Sequence, residues 1–295
     1  MRLFLIRHGE TLDNVAGVYA GSRDSALTAH GVIQARRLAN HLAALAPTIG
    51  PIRHIFSSDL QRAANTAQAI VDAHVPKMAV AAEGATAPVG VERLKLVKLP
   101  ELRERDFGAA EGKSFSTPHP DAESQDAMAA RVGRFIQGHL VPVLDNHIGH
   151  RGEISIVVVA HGIILNVLLR VLLSTFAPVE LERLQRGAKR PPYLVSWGNT
   201  GYVEASLSAR STDPASLPPQ LKPVKPAIKL TVTRVNVTDH LRDLKRTRGG
   251  IGSAKFDSKQ RTMDSFMRRA VPPVTPTSSE AAPAAPAAKK RKLEK

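Results

Sequence analysis

The sequence predicts an α/β fold, a three-layer α/β/α sandwich with a mostly parallel sheet, followed by a disordered C-terminal tail. Short β-branched apolar runs alternate with helical patterns through the first half of the chain, as in sheets whose parallel strands are joined by helices. The clearest run, Ile154–Ala160, is nearly continuous and therefore typical of a strand buried on both faces. From residue 248 the composition changes to Ala, Pro, Ser, Thr and Lys, which offers little to pack in a core.

Composition and charge set bounds on the function. The chain has 295 residues, 43% of them hydrophobic, which is enough for one large domain or two smaller ones. No apolar run is long enough to cross a membrane, and the lack of cysteine excludes disulfides and thiolate metal sites. Of the net charge of +15, the last 48 residues carry +7, from eleven Lys or Arg against four Asp or Glu. We therefore expect a mildly basic domain over residues 1–247 and a strongly basic tail over residues 248–295.

Six segments are predicted strands because each is short, apolar and rich in β-branched residues. They are, in chain order, Leu3–Arg7, His54–Ser57, Leu94–Leu99, Ile154–Ala160, Gly201–Leu207 and Ile228–Val237. The last of them alternates apolar and polar residues, as in a strand with one exposed face. The Pro- and Ser-rich segment 208–226 is predicted to be a surface loop, and neither it nor loop 82–90 matches a pattern with a known role.

Helices are predicted between the strands from apolar periodicity and capping residues. The first runs from an N-cap at Thr28 through Ala46, and the second runs from an N-cap at Asp59 to about Ala73. Further helices are expected along the stripe Met128, Val132, Phe135, Ile136 and Leu140, from Ile163 to Ser174, and from a cap at Thr238-Asp239 to about Arg246.

Cations and imidazoles follow three of the predicted strands, at the point where each strand ends. Arg7 and His8 close the first strand, Arg62 lies in the first turn of the helix after the second, and His161 follows the fourth. Ligands of open α/β sheets bind at the carboxyl ends of the strands, where helix N-termini add backbone N–H donors. Two imidazoles and two guanidiniums at this edge predict a site for a dianion, with phosphate as the leading candidate.

A phosphate ester also needs a proton donor for its leaving oxygen. Candidates follow the third predicted strand in the segment LPELRERDFGAAEGKS, which contains Glu101, Glu104, Asp106 and Glu111. The residue types alone leave the choice among these carboxylates open. Because an imidazole beside bound phosphate can form a covalent intermediate, this arrangement permits nucleophilic catalysis with one carboxyl group as the acid.

Several motifs occur together in the chain. They are RHGET with Asn14 six residues after His8, LTAHGVIQA, SSDLQRAANTA, ELRERDFGAAEG, VVVAHG and the ending NTGYVEASL…LTVTRVNVTDHL. On these motifs the chain resembles the histidine phosphatase superfamily, in its phosphoglycerate-mutase-like branch, over roughly residues 1–247. A single RHG motif would not be specific for this superfamily. Several motifs that occur in the same order as in the family are specific for it.

The resemblance implies a role for each matching residue. It makes His8 the nucleophile that becomes phosphohistidine, Glu104 the proton donor, and His161 a further catalytic residue that holds phosphoryl oxygens. It also implies phosphate binding by Arg7, Asn14, Arg62, Gly21 and Gly162. No metal and no cofactor are implied, because cationic side chains do the electrostatic work that Mg²⁺ does in other phosphoryl-transfer enzymes.

The implied activity is that of a phosphomonoester hydrolase, a histidine acid–base phosphatase, acting on a phosphorylated small molecule or a phosphoprotein. Mutases of this family carry a long insertion with extra basic residues after the acid, whereas about twenty residues separate Gly108 from Met128 here. A phosphoglycerate-mutase-type phosphotransferase is therefore the second expectation. The third is an interaction protein that uses the phosphatase fold as a binding module.

The tail carries a short peptide of a different kind. The segment SKQRTMDSFMRR matches the pattern Gln-x-x-aliphatic-x-x-aromatic-aromatic, except that Met stands at the last position. The matching residues are Gln260, Met263, Phe266 and Met267. This peptide resembles the PIP box that binds the proliferating cell nuclear antigen, the replication sliding clamp. In one helical turn Met263, Phe266 and Met267 would share a face that can enter an apolar pocket. The sequence therefore predicts the sliding clamp as a partner of the tail.

The last residues contain the basic cluster Lys289–Lys292 in an Ala- and Pro-rich context. This cluster resembles a monopartite nuclear localisation signal, which implies a nuclear import receptor as a partner and a location in the nucleus, the cytoplasm or both. The alternative is a solubilising tail that binds polyanions without specificity. Because the tail has two aromatic residues, Phe256 and Phe266, contact with nucleic acid is expected to be nonspecific at most, and no membrane partner is expected.

Overall fold

The computed structural model describes residues 1–74, 94–148, 153–177, 182, 195–209, 228–245 and 251–257. One compact unit, Met1–Phe256, contains every strand and helix given below. No helix in these ranges is long and apolar enough to span a membrane. Several predicted features lie outside the described residues and stay predictions. They are loop 82–90, most of loop 208–226, the tail peptide with Gln260, Met263, Phe266 and Met267, and the basic cluster Lys289–Lys292.

Six strands form one sheet. They are β1 Arg2–Arg7, β2 Ile52–Ser58, β3 Leu96–Leu99, β4 Ser155–Ala160, β5 Tyr202–Ala209 and β6 Ile228–Val237. Their spatial order is β3-β2-β4-β1-β5-β6, in which the first four strands are parallel to one another. The β1/β5 and β5/β6 pairs are antiparallel. The predicted α/β class with a mostly parallel sheet is therefore confirmed.

Helices cover both faces of the sheet. They are α1 Leu12–Ala16, α2 Ala29–Ile49, α3 Gln61–Ala73, α4 Gln125–Phe135, α5 Val141–His147 and α6 Gly162–Phe176, with a π-helical turn Ile136–Leu140 between α4 and α5. Alternate residues of β1 enter two different hydrophobic clusters. Phe4 and Ile6 pack with α2 and α3, whereas Leu3 and Leu5 pack with α4, α5 and α6. This burial on both faces explains why the inner strands are continuous apolar runs.

The start of α3 differs from the prediction. The helix begins at Gln61, and Leu60 before it makes no side-chain capping bond. Asp59, predicted as the N-cap, instead accepts two hydrogen bonds from the guanidinium of Arg103, at 2.8 and 2.6 Å. A bidentate, charge-assisted pair is stronger than a single capping bond. The Gln61 N–H donates to Asp24 Oδ1 at 2.8 Å, so a residue distant in sequence caps the helix.

The end of α2 also differs from the prediction. Thr28 caps the helix as predicted, because its Oγ1 accepts from the Gly31 N–H at 2.9 Å. The helix then continues beyond Ala46 to Ile49, with Pro47 in its last turn. Ile49 is buried in the hydrophobic cluster shared by α2 and α3, and this packing favours the added turn.

The helix predicted after β6 is shorter than expected. Thr238 makes no side-chain capping bond, and the described segment contains the 3₁₀ turn Asp239–Leu241 in place of a longer helix. The carboxylate of Asp239 pairs with the guanidinium of Arg234 at 2.6 Å, so it does not serve a helix start. The predicted end at Arg246 lies outside the described residues.

A short segment near the end of the described chain contacts the loop before α2. The Ala29 N–H donates to Ala254 O at 3.0 Å, and the Phe256 N–H donates to Leu27 O at 3.2 Å. The Arg36 guanidinium carbon lies 5.8 Å from the centre of the Phe256 ring. Residues 254–256, which belong to the basic tail in the sequence analysis, are therefore in contact with the domain.

Candidate active site

The carboxyl ends of β1, β2 and β4 bring the predicted basic residues together. Arg7 lies opposite Ala160 in the β1/β4 register, and the His8 N–H donates to Ala160 O at 3.0 Å. His161 follows β4 directly, and its ring centre is 5.0 Å from that of His8. Arg62, in the first turn of α3, reaches the same point, with its Nε 3.1 Å from His161 Nδ1. The four residues expected to converge at this edge do so.

His8 is held in one tautomer. Its Nδ1 lies 2.7 Å from the carbonyl oxygen of Gly9, which can only accept, so Nδ1 carries the ring proton and Nε2 carries the lone pair. His8 is 4% exposed. Burial first, and then the charges of Arg62 and Arg7, hold the pKa of His8 well below its ordinary value. His8 is therefore a neutral imidazole whose Nε2 can act as a nucleophile.

The Arg62 guanidinium is almost fully buried, at 1% exposure, and three hydrogen bonds fix it. Nη1 donates to Arg23 O and Nη2 to Gly21 O, each at 2.7 Å, and Nε donates to His161 Nδ1 at 3.1 Å. Because a guanidinium only donates, His161 Nδ1 is the acceptor and the proton of a neutral His161 lies on Nε2. Two of the five N–H groups of Arg62 remain for a ligand.

Two buried donors beside His8 have no hydrogen-bond partner in the described part of the chain: His161 Nε2 and Arg7 Nε. Arg7 is otherwise held by a bond from Nη1 to Trp197 O at 2.7 Å. Burial lowers the pKa of Arg7, and burial followed by the charge of Arg62 holds the pKa of His161 well below its ordinary value. Buried donors in proteins are nearly always paired. These two donors therefore mark a place for an anionic ligand.

Asn14 reaches the site from α1. Its Oδ1 accepts from Asn199 Nδ2 at 3.0 Å and from the Thr11 N–H at 3.3 Å, which leaves its amide NH₂ group to donate to a ligand. Asn199 also donates to His8 O at 3.2 Å. No role was predicted for Asn199, although it lies in the motif NTGYVEASL. The motif was the available signal, but the contact itself arises because β5 pairs with β1.

The two predicted phosphate-site glycines serve different purposes. Gly21 has a φ of +55°, its carbonyl holds Arg62, and a side chain there would overlap the carboxylate of Glu111. Glu111 is used within that loop, where Oε1 accepts from the Ser22 N–H at 2.6 Å. Gly162 is the first residue of α6 and lines the cavity beside Arg7. Gly21 thus acts through Arg62, whereas a side-chain carbon at Gly162 would make only an ordinary contact with Arg7 Nε, at 3.9 Å.

Of the four candidate proton donors, Glu104 is the one that lines the cavity in the described residues. Its Oε1 accepts from the N–H groups of Ile164 and Arg105, both at 3.0 Å, and its Oε2 accepts from the Ile163 N–H at 3.1 Å. The carboxyl group is therefore held in place at the N-terminus of α6 by backbone N–H groups. Oε2 accepts one hydrogen bond and retains a position for a proton.

Arg131 in α4 fixes the loop that carries Glu104. Its guanidinium donates to the carbonyl oxygens of Glu101, Arg103 and Glu104, at 2.8, 2.6 and 3.1 Å. The carboxylate of Glu123 accepts two further bonds from it, at 2.7 and 2.8 Å. Sequence reasoning missed this residue, because an Arg in a helical stripe gives no sign of the carbonyls that it binds.

The site lies in a cavity of about 740 Å³. Away from the histidines, the described lining includes four aromatic side chains, Tyr19, Phe107, Phe115 and Trp197. Sequence reasoning missed them because they come from loops, where no periodicity indicates which side chains face a ligand. A cavity of this size accommodates an organic molecule considerably larger than phosphate.

A mostly parallel sheet whose strand ends hold paired histidines, buried arginines and a carboxyl group around one cavity defines an α/β protein with a site that can accept a phosphoryl group. The chain belongs to the histidine phosphatase superfamily, since the family model for branch 1 of that superfamily matches residues 3–189. The expected family is therefore confirmed.

Similar proteins include both phosphatases and mutases. A Schizosaccharomyces pombe protein described as a probable phosphatase is 29% identical over 276 residues, covering 89% of this chain and 78% of that protein. A Proteus mirabilis protein described as a probable phosphoglycerate mutase is 30% identical over 197 residues, covering 63% of this chain and 80% of that protein.

Among solved structures, a mycobacterial glucosyl-3-phosphoglycerate phosphatase in complex with VO3 has a TM-score of 0.54 and 22% identity. The match covers 80% of this chain and 98% of that one. At this level of identity the likeness shows a shared fold.

Proposed function

We propose that the domain is a phosphomonoester hydrolase, a histidine acid–base phosphatase that forms a phosphohistidine on His8. The main observation in support of this proposal is the set of buried hydrogen-bond donors beside His8. Arg7 Nε and His161 Nε2 have no partner within the described ranges, and Arg62 keeps two N–H groups for a ligand. A phosphoryl group at this place would supply the acceptor oxygens that these donors need.

In the first step, the lone pair of His8 Nε2 attacks phosphorus while the bond between phosphorus and the leaving oxygen breaks. The leaving oxygen takes the electron pair of that bond and a proton from Glu104 Oε2, so it departs as an alcohol. His8 keeps its Nδ1 proton, which Gly9 O accepts. The donors of Arg7, Arg62 and His161 stabilise the charge on the transferring oxygens.

In the second step, Glu104 is a carboxylate and takes a proton from an attacking water molecule. The water oxygen bonds to phosphorus as the bond from phosphorus to His8 Nε2 breaks, and the electron pair returns to the nitrogen. Inorganic phosphate leaves, and both His8 and Glu104 recover their starting states. The backbone N–H groups at the start of α6 hold the Glu104 carboxyl group through both steps.

The charge of the cavity supports hydrolysis over mutase chemistry. Among its described lining residues, the cationic side chains are Arg7 and Arg62, both assigned to the phosphoryl group. A substrate carboxylate would therefore find no further counterion among these described residues. A phosphoglycerate-mutase-type phosphotransferase remains the alternative, because one of the similar proteins carries that description.

The test is phosphate release by the full chain from a panel of phosphomonoesters with EDTA present. His8→Gln is expected to lose roughly 10³-fold in turnover. His139→Gln, a matched change outside the cavity, should retain activity. Absence of turnover on every ester by folded protein would overturn the proposal. Interconversion of phosphoglycerates that requires a bisphosphorylated primer would establish the alternative.

We also propose that the tail recruits the enzyme to a sliding clamp and carries an import signal. The support is the peptide spacing of Gln260, Met263, Phe266 and Met267, and the basic cluster Lys289–Lys292. Phe266→Ala should weaken binding of the full chain to proliferating cell nuclear antigen by about tenfold or more. Val274→Ala, also in the tail, is the control, and equal binding by both variants would contradict recruitment.

A further inference from the structure

One wall of the active-site cavity is built by two loop segments, residues 17–20 and 112–115, here called the aromatic arm. The segments pair through an isolated antiparallel bridge between Val18 and Ser114. The Tyr19 N–H donates to Lys113 O at 2.9 Å, and the Gly112 N–H donates to Tyr19 O at 2.7 Å. Backbone hydrogen bonds therefore hold the aromatic arm, and its side chains have defined positions.

Tyr19 organises the aromatic side chains of the arm and its surroundings. Its ring stacks on Phe107 with centres 4.2 Å apart and meets Phe115 edge-on at 5.1 Å. Its hydroxyl donates to Phe115 O at 2.6 Å, so the polar atom of Tyr19 is bonded within the arm. Phe115 lines the cavity yet is 54% exposed. A ligand ring that covered this side chain would gain the free energy of removing apolar surface from water.

The described lining divides into a charged end and an uncharged wall. Its charged side chains are Arg7, Arg62 and Glu104, and all three already act on the phosphoryl group or the leaving oxygen. Lys113 of the arm does not line the cavity, so a carboxylate or a second phosphate along the wall would gain no counterion from the described lining. An aromatic ring there would instead cover the exposed ring of Phe115, which favours an uncharged partner.

We propose that the aromatic arm makes the site select phosphomonoesters whose leaving group is an uncharged aromatic alcohol, with Phe115 as a specificity-determining residue. This inference rests on the proposed hydrolase function and names its substrate class. The reaction is the one given above: the bond between phosphorus and oxygen breaks, and the aryl alcohol leaves with the proton of Glu104. Water supplies the oxygen and the protons that complete inorganic phosphate and restore Glu104.

The binding of phosphonates to the full chain tests the ligand preference of the aromatic arm without turnover, because their carbon–phosphorus bond is not hydrolysed. Calorimetry compares benzylphosphonate with 3-phosphonopropionate, which carries a carboxylate in place of the ring. We expect benzylphosphonate to bind at least about tenfold tighter. Phe115→Ala should reduce this preference by roughly fivefold to tenfold and leave the affinity for inorganic phosphate unchanged. Phe256→Ala, at a partly exposed phenylalanine outside this cavity, is the matched control.

A preference for benzylphosphonate that depends on Phe115 supports the inference. Equal affinities, tighter binding of the carboxylated ligand, or a preference that survives Phe115→Ala overturns it. Turnover is measured separately, as kcat/KM for 1-naphthyl phosphate against 3-phosphoglycerate. A higher value for 3-phosphoglycerate overturns the inference but leaves hydrolysis standing, whereas no turnover on any ester overturns the proposed hydrolase itself.

Discussion

The Nε atom of Arg62 donates a hydrogen bond to Nδ1 of His161 at 3.1 Å, in the interior of the domain. This bond directs the proton of His161 to Nε2, where it can reach a phosphoryl oxygen. The carbonyl groups of Gly21 and Arg23 hold the other end of the guanidinium. The proposed phosphate site therefore depends on loop carbonyls that place Arg62, and not on residue types alone.

Arg62→Lys tests this arrangement. The planar guanidinium of Arg62 donates hydrogen bonds to His161, Arg23 and Gly21 at the same time, and an ammonium group cannot reproduce this geometry. We therefore expect kcat/KM to fall by about 100-fold or more. Nitrogen NMR of labelled histidine should also show that the tautomer preference of His161 is lost. Arg103→Lys, at an exposed ion pair, is the control and should change kcat/KM less than about threefold. Similar losses in both variants would argue against the role given to Arg62.

Gly21→Ala tests the loop that supports Arg62. The added methyl group would overlap the Glu111 carboxylate, and the positive φ adds backbone strain. We expect a loss of about 2–4 kcal/mol in the free energy of unfolding by urea, together with a lower kcat/KM. Gly17→Ala separates the two effects, since Gly17 has a φ of +68° with open space around it. It should lose only about 1 kcal/mol and keep its activity. Equal losses in the two variants would contradict the proposed contact.

Glu104→Gln tests the proton donor through the leaving group. A poor leaving group such as phenol or an alkyl alcohol needs a proton as it departs, whereas 4-nitrophenol does not. Burst-phase measurement of the first step should therefore show a fall of roughly 10²–10³-fold for phenyl phosphate and a much smaller fall for 4-nitrophenyl phosphate. Glu101→Gln, at a carboxylate outside the described cavity lining, should leave both rates unchanged. An equal fall for both esters would mean that Glu104 is not the acid.

The pH dependence of His8 follows from its surroundings. Burial, Arg62 and Arg7 all disfavour the imidazolium, so the pKa of His8 lies well below its ordinary value and the ring stays neutral as the pH falls. NMR titration of labelled His8 should show no protonation between about pH 8 and about pH 6. Since the unfolded chain gains protons below about pH 6.5 while the folded chain does not, His8 also makes the domain less stable as the pH falls. Titration of folded His8 near 6.5 would contradict this prediction.

The fold was largely predictable from the sequence because its strands carry a strong local signal. β4 is a continuous β-branched run, and the structure places it inside the sheet between β1 and β2. Element ends were less predictable where distant residues decide them. Asp59 is drawn to Arg103 and Asp24 caps α3 in its place, and neither pairing is visible in the local sequence.

The basic end of the site was predictable because Arg7, His8, Arg62 and His161 each lie at the end of a strand or the start of a helix, where topology brings strand ends together. The rest depends on loops. Asn199 meets His8 through the turn before β5, and Arg131 reaches the Glu104 loop from α4. Phe115 becomes part of the cavity because its segment pairs with residues 17–20, which no periodic pattern indicates.

The central claim is that His8 Nε2 carries the phosphoryl group during turnover. The most direct measurement is rapid alkaline quench of the full chain turning over phenyl phosphate, followed by mass spectrometry to locate the modified residue. We predict phosphohistidine at His8, formed and lost at rates that match turnover, and absent from His8→Gln. Continued turnover without a modified His8, or a phosphoryl group found on another residue, would contradict the account.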